Sequence, residues 1–265
     1  MADTTHPGLA GLLAGRGLSG TEAAAFSGGL IVPAEPTVSL VVDLTGGAPR
    51  GFVVTAGRRY HSAAPAVSGP RRWATITLTL PGAYRLLGAG LGELDAPVHG
   101  IGDLLGAAGV EFAERIAEDS DWTRRFARMQ LFLAARAAAG SDPPAEVVLA
   151  WRRLVESSGR LPIGTIADEV GWSRQHLIRM FRRCFGQPPK TLARMVRLRA
   201  ALSRARAEGR WQQAAADAGY FDESHFVRDL REFTGTTPGR YLSAALPCGC
   251  VRQVNSLQDR SSEHG

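Results

Sequence analysis

An internal repeat constrains the fold of the C-terminal part of the chain more than any other feature of this sequence. The segment "IADEVGWSRQHLIRMFRRCFGQPPKTL" (166–192) is matched later by "AAADAGYFDESHFVRDLREFTGTTPGRYL" (214–242). Gly171 aligns with Gly219 at an offset of 48 residues, whereas Phe181 aligns with Leu230 at an offset of 49. The second copy has therefore gained one residue between its glycine and the middle of the following helix.

Each copy has the pattern of a short helix, a tight turn and a second helix. Gly171 and Gly219 stand where a tight turn between helices requires a positive φ angle, which glycine adopts without steric cost. Ser173 and Asp222 follow as predicted N-caps, because their side-chain oxygens accept hydrogen bonds from the first N–H groups of a helix. This order predicts a helix-turn-helix, whose second helix enters the major groove of DNA with its N-terminal residues at the base edges.

The second helix of each copy has an apolar face and an opposite, mostly polar face. The apolar faces are predicted to point into the core, and their members are Leu177, Phe181, Cys184, Phe226, Leu230 and Phe233. The opposite faces carry the candidate contact residues, which are Arg174, Gln175, Ile178 and Arg179 in the first copy and Glu223, Ser224, Val227 and Arg228 in the second. Arg179 has the donor geometry to bind guanine, and Gln175 can pair with adenine. Arg182, Arg183 and Lys190 are better suited to phosphates.

Basic residues are concentrated in the segment that contains the repeat. The whole chain has a net charge of +6 and a pI near 9.9. Residues 146–243 contain 17 Lys and Arg and ten Asp and Glu, a net charge of +7, so the remainder is slightly acidic. Between Arg174 and Arg206 there are ten basic residues and no acidic one. Such a run repels itself unless a polyanion lies close by, and the repeat favours double-stranded DNA as that partner.

A long helix is predicted between the two copies, over residues 189–207. The segment "PPKTLARMVRLRAALSRAR" begins with proline and has an apolar stripe at helical spacing. Nineteen helical residues span roughly 28 Å, and successive openings of the major groove on one face of DNA lie about 34 Å apart. The helix therefore has a suitable length to place the two second helices in adjacent major grooves.

The repeat, the linker helix and the final motif "GTTPGRY" (235–241) together resemble the AraC/XylS-type transcription regulators. The resemblance covers residues 146–243 and implies a DNA-binding domain of two helix-turn-helix units. In this family such a domain is usually joined to an N-terminal domain that senses a small molecule or forms a homodimer, and the regulator acts with RNA polymerase. The resemblance also implies base contacts from both second helices, namely from Gln175, Ile178, Arg179, Glu223, Ser224, Val227 and Arg228.

Three positions depart from the pattern of these regulators. Ile178 is apolar where many relatives are polar, which favours contact with a thymine methyl group over hydrogen bonding. Phe221 replaces a small polar residue, and Glu223 places a carboxylate near DNA. That carboxylate can accept a hydrogen bond from cytosine N4, or it can weaken binding of the second unit. We therefore expect the first copy to dominate DNA affinity.

The sequence before the repeat predicts an α+β domain. Short β-branched segments separated by Gly/Pro turns predict strands at 37–44, 52–56 and 72–80, in a small antiparallel sheet or a cupin-like half-barrel. Helical periodicity follows, and the last helix is predicted to begin after Asp121 and to end at Gly140. The stretch "LPGAYRLLGAGLGELDAPVHGIGDLLG" (80–106) loosely resembles sensor-like domains of some AraC-type regulators.

The predicted organisation has five parts. Residues 1–36 are expected to be poorly ordered with at most a short helix, and 246–265 to form a disordered tail. Residues 37–140 are the predicted sensor or dimerisation domain, and the prolines of 141–145 mark a linker. Residues 146–245 form the predicted all-α DNA-binding domain, with helices at 145–157, 163–170, 174–184, 189–207, 211–218, 222–233 and 238–244.

Two other classes of function stay open at this point. A DNA-repair alkyltransferase with an attached AraC-type domain needs a nucleophilic cysteine and a four-cysteine zinc site in the N-terminal half, but the cysteines are Cys184, Cys248 and Cys250. A ligand- or protein-binding module with degenerate helix-turn-helix units is disfavoured by the acid-free run. No catalytic motif, metal site or cofactor is predicted. The sparse cysteines and the lack of a long apolar run favour a cytoplasmic protein.

Overall fold

The computed structural model describes residues 9, 11–23, 30–32, 34–45, 50–55, 61–63, 71–88, 90–244 and 251–252. Strands dominate the first part of the chain and helices the rest. The strands are β1 (Leu13–Ala23), β2 (Leu30–Val32), β3 (Val38–Asp43), β4 (Arg50–Val54), β5 (His61–Ala63), β6 (Arg71–Leu78), β7 (Val98–Gly100) and β8 (Val251–Arg252). They form a five-stranded sheet in the order β1-β6-β3-β4-β7 and a three-stranded sheet in the order β5-β2-β8. All of these pairings are antiparallel, which confirms the predicted sheet.

The larger sheet has two chemically different faces because side chains alternate along each strand. Val38, Leu40 and Val42 in β3 are buried on one face, as are Ala74, Ile76 and Leu78 in β6. The opposite face carries the hydroxyl side chains of Ser39, Thr75 and Thr77, which are only half-buried. The apolar face forms the core of this domain, and the hydroxyl face borders a cavity.

The first strand was not predicted from the sequence. Residues 13–23 pair with β6 from Leu13 opposite Leu78 to Ala23 opposite Arg71, with an irregularity between Leu13 and Leu18. The expectation of a poorly ordered segment with a short helix is therefore wrong for these residues. Their Gly/Ala-rich sequence has little periodicity of its own, and their hydrogen-bonding partner lies far along the chain. Most of the predicted tail lies outside the described residues, but Val251–Arg252 pair with β2.

Three helices follow β6 along the chain: α1 (Leu80–Leu87), α2 (Ile101–Glu118) and α3 (Trp122–Ala139). The strand predicted at 72–80 ends earlier, at Leu78, because Thr79 caps α1 by accepting a hydrogen bond from the Gly82 N–H at 3.0 Å. Asp121 caps α3 through the Arg124 N–H at 2.9 Å, and Gly140 ends that helix. A single helical turn at Leu91–Glu93 lies between α1 and β7.

The remaining helices agree closely with the pattern expected from the repeat. They are α4 (Ala145–Glu156), α5 (Ile163–Glu169), α6 (Arg174–Phe185), α7 (Pro189–Glu208), α8 (Trp211–Asp217), α9 (Glu223–Thr234) and α10 (Pro238–Ala244). Residues 141–144 between α3 and α4 have no regular secondary structure. Within the described part of the chain, no helix is both long and apolar enough to cross a membrane.

Candidate nucleic-acid interface

The two copies of the repeat fold into the same turn. Gly171 and Gly219 both have positive φ angles, of 71° and 86°. After each glycine, the next N–H returns to the preceding short helix, from Trp172 to the Ala167 carbonyl at 2.9 Å and from Tyr220 to the Ala215 carbonyl at 3.1 Å. Alanine or a larger residue at either glycine would be strained by this backbone conformation. The helix pairs α5–α6 and α8–α9 are therefore equivalent helix-turn-helix units.

Each second helix begins at a side-chain cap. The Ser173 hydroxyl accepts a hydrogen bond from the His176 N–H at 3.2 Å, and the Asp222 carboxylate accepts one from the His225 N–H at 2.7 Å. These caps satisfy N–H groups that the helix itself leaves free. The caps thus fix where α6 and α9 begin. The first turn of a recognition helix is the part that faces base edges.

The apolar faces of α6 and α9 lie in the core. Leu177, Phe181 and Cys184 of α6 are almost fully buried, and so are Phe226, Leu230 and Phe233 of α9. Burial raises the pKa of the Cys184 thiol above its ordinary value, which suits a packing residue and disfavours a nucleophile. This packing fixes which side of each helix faces solvent.

The structure brings each predicted set of contact residues onto one outer helix face. Arg174, Gln175 and Arg179 of α6 are exposed, and Ile178 beside them is half-buried. On α9 the same arrangement places Glu223, Ser224, Val227 and Arg228 around one shallow depression, together with Arg231. Arg231 was absent from the predicted set, and its position one turn beyond Val227 is the sequence signal that identifies it.

The turn of the first unit also positions Arg179, a candidate base-contacting residue. The Arg179 guanidinium lies 2.8 Å from Nδ1 of His176. The His176 ring in turn contacts the Trp172 ring edge-on, with centroids 4.4 Å apart. His176 therefore restricts where the Arg179 side chain can lie, and this gives the histidine a role in the first unit that its sequence position did not indicate.

A largely buried ion cluster joins helix α7 to the second unit. The Arg194 guanidinium donates to Asp229 at 2.6 Å and to Glu232 at 2.5 Å, and the Tyr220 hydroxyl also donates to Asp229 at 3.2 Å. Burial alone would lower the pKa of Arg194, but the hydrogen bonds to the two carboxylates hold it above the usual value. Burial, with the nearby Asp229 charge, likewise raises the pKa of the Tyr220 hydroxyl.

This cluster corrects one inference from the sequence. The acid-free run between Arg174 and Arg206 does not require a polyanion at every basic residue, because acids from later helices approach it in the fold. Asp229 and Glu232 compensate Arg194, and Asp217 lies 3.8 Å from Arg204. In contrast, Arg182, Arg183 and Lys190 are exposed, as expected for residues that contact phosphates.

The N-terminal domain contacts the C-terminal end of α6. Leu91 is buried, and Gly90 and Gly92 on either side of it lie against the backbone carbonyls of Arg183 and Arg182. A Cβ atom on Gly92 would overlap the Arg182 carbonyl oxygen. The first recognition helix is therefore in direct backbone contact with the other domain at the end opposite its reading end.

A cavity of about 880 Å³ lies between the sheet and α7. Its sheet wall is rich in hydroxyl groups and consists of Ser19, Thr21, Thr37, Ser39, Thr75 and Thr77. Its other wall includes Arg199 and Arg206 of α7, and Glu35 also lines the cavity. Burial raises the pKa of the Glu35 carboxyl, and the charges of Arg199 and Arg206 offset only part of that shift.

The equivalent units, their exposed outer faces and the attached β-domain define a class of protein. The paired helix-turn-helix units are those of a DNA-binding transcription regulator. Residues 166–244 match the family model described as a helix-turn-helix domain. This segment is an AraC-type helix-turn-helix domain, which confirms the resemblance drawn from the repeat.

Two solved structures of ToxT from Vibrio cholerae are similar in fold. A 1.65 Å structure has a TM-score of 0.51 at 11% identity and covers 86% of this chain and 98% of that chain. A structure bound to (E)-4-(8-methylnaphthalen-1-yl)but-3-enoic acid has a TM-score of 0.50 at 13% identity, with the same coverage. No curated protein matches the sequence significantly. The likeness to ToxT shows the same architecture, an antiparallel sheet with helices followed by a helical region.

Proposed function

We propose that this protein is a sequence-specific transcription regulator that places α6 and α9 in adjacent major grooves of DNA. The observation that supports it most directly is the pair of equivalent capped helices, each with a polar outer face, that α7 connects along the chain. The 20 residues of α7 span about 30 Å, close to the roughly 34 Å between successive major-groove openings. Both helices pack against α7, which fixes their position relative to each other.

The two recognition helices differ in charge, so their contributions to binding differ as well. The outer face of α6 carries Arg174, Gln175 and Arg179 and no acid, while that of α9 carries Glu223 beside Arg228. A carboxylate near phosphates lowers affinity unless it accepts a hydrogen bond from cytosine N4. We therefore assign most of the affinity to the first unit, and to the second unit the role of a more selective, weaker reader.

Replacing Arg179 with alanine tests the first unit. We expect affinity for a duplex selected by the protein from a random pool to fall about tenfold or more, because a bidentate contact with guanine contributes roughly 1–3 kcal/mol. Affinity for a shuffled duplex should change much less, since the lost contact is to a base. Fluorescence anisotropy titration of both duplexes measures the two effects.

Two control variants separate base contacts from phosphate contacts. Lys190→Ala should weaken both duplexes to a similar extent and reduce the slope of log affinity against log salt by about 0.9. Arg115→Ala, at an exposed arginine of α2, should leave both affinities unchanged. A shallow salt dependence of the unmodified protein would contradict DNA binding and favour a ligand- or protein-binding module with degenerate helix-turn-helix units.

We further propose that a small polar carboxylic acid binds in the cavity between the sheet and α7 and modulates DNA binding. The bound carboxylic acid in one ToxT structure supports an acidic ligand for this architecture. In the present chain the hydroxyl groups of the sheet wall favour a ligand with further hydrogen-bonding groups, and Arg199 and Arg206 supply positive charge. Because α7 is both a cavity wall and the spacer between units, a ligand there can alter their relative position.

The pKa of Glu35 predicts how ligand binding depends on pH. At high pH the ionised Glu35 carboxylate repels an acidic ligand, and as the pH falls through its raised pKa the residue becomes neutral. Binding should therefore strengthen on acidification, and Glu35→Gln should bind with little pH dependence. A panel of hydroxylated short-chain acids and unsaturated long-chain fatty acids, followed by thermal unfolding, measures this.

At 100 times its dissociation constant a ligand stabilises the protein by about 2.7 kcal/mol, which such a scan detects. Arg152→Ala, at an exposed arginine of α4, serves as the control with unchanged binding. If none of the hydroxylated short-chain acids raises the unfolding temperature, the proposal of a small polar acid is wrong, while the proposal of DNA binding is unaffected. Dimer formation through the N-terminal domain and contact with RNA polymerase stay predictions.

A further inference from the structure

The structure identifies the residue by which the second copy of the repeat is longer. The turns of the two units are equivalent through Trp172 and Tyr220, whose N–H groups make the same return hydrogen bond. The cap of α6, Ser173, follows Trp172 directly, whereas Phe221 stands between Tyr220 and the cap of α9, Asp222. The additional residue is therefore Phe221.

Phe221 is an unusually exposed aromatic residue. Its relative exposure is 95%, higher than that of any other large apolar side chain in the described part of the chain, of which Leu131 follows at 72%. An exposed phenylalanine loses the free energy of roughly 1.5–3 kcal/mol that burial would give. The Phe221 side chain therefore contributes little to the packing of this domain.

The usual structural role of an apolar residue at this position is also excluded. A residue just before an N-cap often packs against the fourth residue of the helix, which here is Phe226. Phe226 is instead 1% exposed and packs against the rings of Trp211 and Tyr220, at centroid distances of 5.6 and 5.3 Å. Phe221 therefore has no such partner and projects from the N-terminal end of α9.

We propose that Phe221 is a specificity-determining residue that contacts the C5-methyl group of a thymine in the half-site of the second unit. This inference rests on the proposed function, because it requires α9 to enter the major groove. The residue comes two positions before Glu223 in the chain, at the end of the helix that reaches base edges. The thymine methyl is the apolar group that base edges present in the major groove, and phenylalanine is one of the side chains that contact it.

The contact also accounts for the composition of the second unit. Its outer face lacks the arginine- and glutamine-rich start of α6 and offers Glu223, Ser224 and Val227 instead. Apolar contact with a methyl group adds sequence preference without adding positive charge. Phe221 thus allows the second unit to recognise one base pair. A neighbouring base pair would present the cytosine N4 group from which Glu223 can accept a hydrogen bond.

The test uses the full chain and the duplex that it selects from random DNA. We expect Phe221→Ala to weaken binding roughly tenfold, and Phe221→Leu to retain most of the affinity. Thymine is then replaced by uracil at one position at a time, which removes only the methyl group. One position in the second half-site should lose about fourfold in affinity with the unmodified protein and should show no loss with Phe221→Ala.

The controls separate this inference from the proposed function. Leu131→Ala, at an exposed apolar residue of α3, should bind like the unmodified protein, and thermal unfolding should show that Phe221→Ala is fully folded. If the unmodified protein binds its duplex specifically but Phe221→Ala binds within twofold of it, the inference is wrong and DNA binding stands. A loss of transcription without a loss of DNA affinity would likewise overturn it, in favour of a protein partner. If the unmodified protein selects no duplex, the proposed function itself is wrong.

Discussion

Replacing Arg194 with alanine is expected to lower the free energy of unfolding by about 3–5 kcal/mol, because the buried carboxylate of Asp229 loses its arginine partner. The side chain of Asp229 is only 1% exposed, and Arg194 is the cation that neutralises it. Glu232 and the Tyr220 hydroxyl belong to the same cluster, so the loss also disturbs the start and the middle of the second unit. Urea unfolding followed by circular dichroism measures the change.

An exposed ion pair on the same helix provides the matched control. Arg204 lies 3.8 Å from Asp217, and both side chains are about half exposed. Exposed pairs of this kind contribute roughly 0–1 kcal/mol, so Arg204→Ala should be nearly neutral. If Arg194→Ala were no more destabilising than Arg204→Ala, the cluster would not be the element that holds α9 against α7. Asp229→Ala combined with Arg194→Ala should cost less than the sum of the single changes.

Substitution of Gly92 by alanine is expected to separate the two domains locally and to destabilise the protein by about 1–3 kcal/mol. The added Cβ would overlap the Arg182 carbonyl, which is backbone and cannot rotate away as a side chain would. The segment 90–93 and the last turn of α6 must then move apart. Hydrogen exchange should show faster exchange in these two segments, and urea unfolding should show the loss of stability.

Gly239→Ala is the control for this substitution. Gly239 lies in the first turn of α10, and a Cβ there meets no atom within 4 Å. Alanine favours a helix more than glycine does, so this variant should be as stable as the unmodified protein or slightly more stable. Unchanged exchange at the end of α6 in Gly92→Ala would show that the domains are not in close backbone contact.

The sequence predicted correctly the elements that depend on residues close together in the chain, and it missed those that depend on distant segments. The helices of the DNA-binding domain were predicted to within one or two residues, because their caps, turn glycines and apolar stripes act over a few residues. Strand β1 was missed because its hydrogen bonds depend on β6, which is about fifty residues away in sequence. The same reason explains the Arg194 cluster, in which Asp229 and Glu232 come from a helix beyond the acid-free run.

Locating the inserted residue, Phe221, required the structure as well as the alignment. Alignment located one additional residue between Gly219 and the middle of α9. The predicted caps at Ser173 and Asp222 left Tyr220 and Phe221 as the candidates, because either aromatic residue could match Trp172. The return hydrogen bond of Tyr220 and the cap at Asp222 restrict the choice to Phe221.

The sequence by itself determined the class of the C-terminal domain, since a repeated helix-turn-helix pattern is encoded in local periodicity, glycine turns and caps. It also determined which helix faces are available to DNA, because burying one apolar face leaves the opposite face outside. Only the tertiary structure decided which charges remain available, where the cavity lies and how the N-terminal domain contacts α6. Those features arise between segments distant in sequence, and their geometry is set by packing that no local pattern encodes.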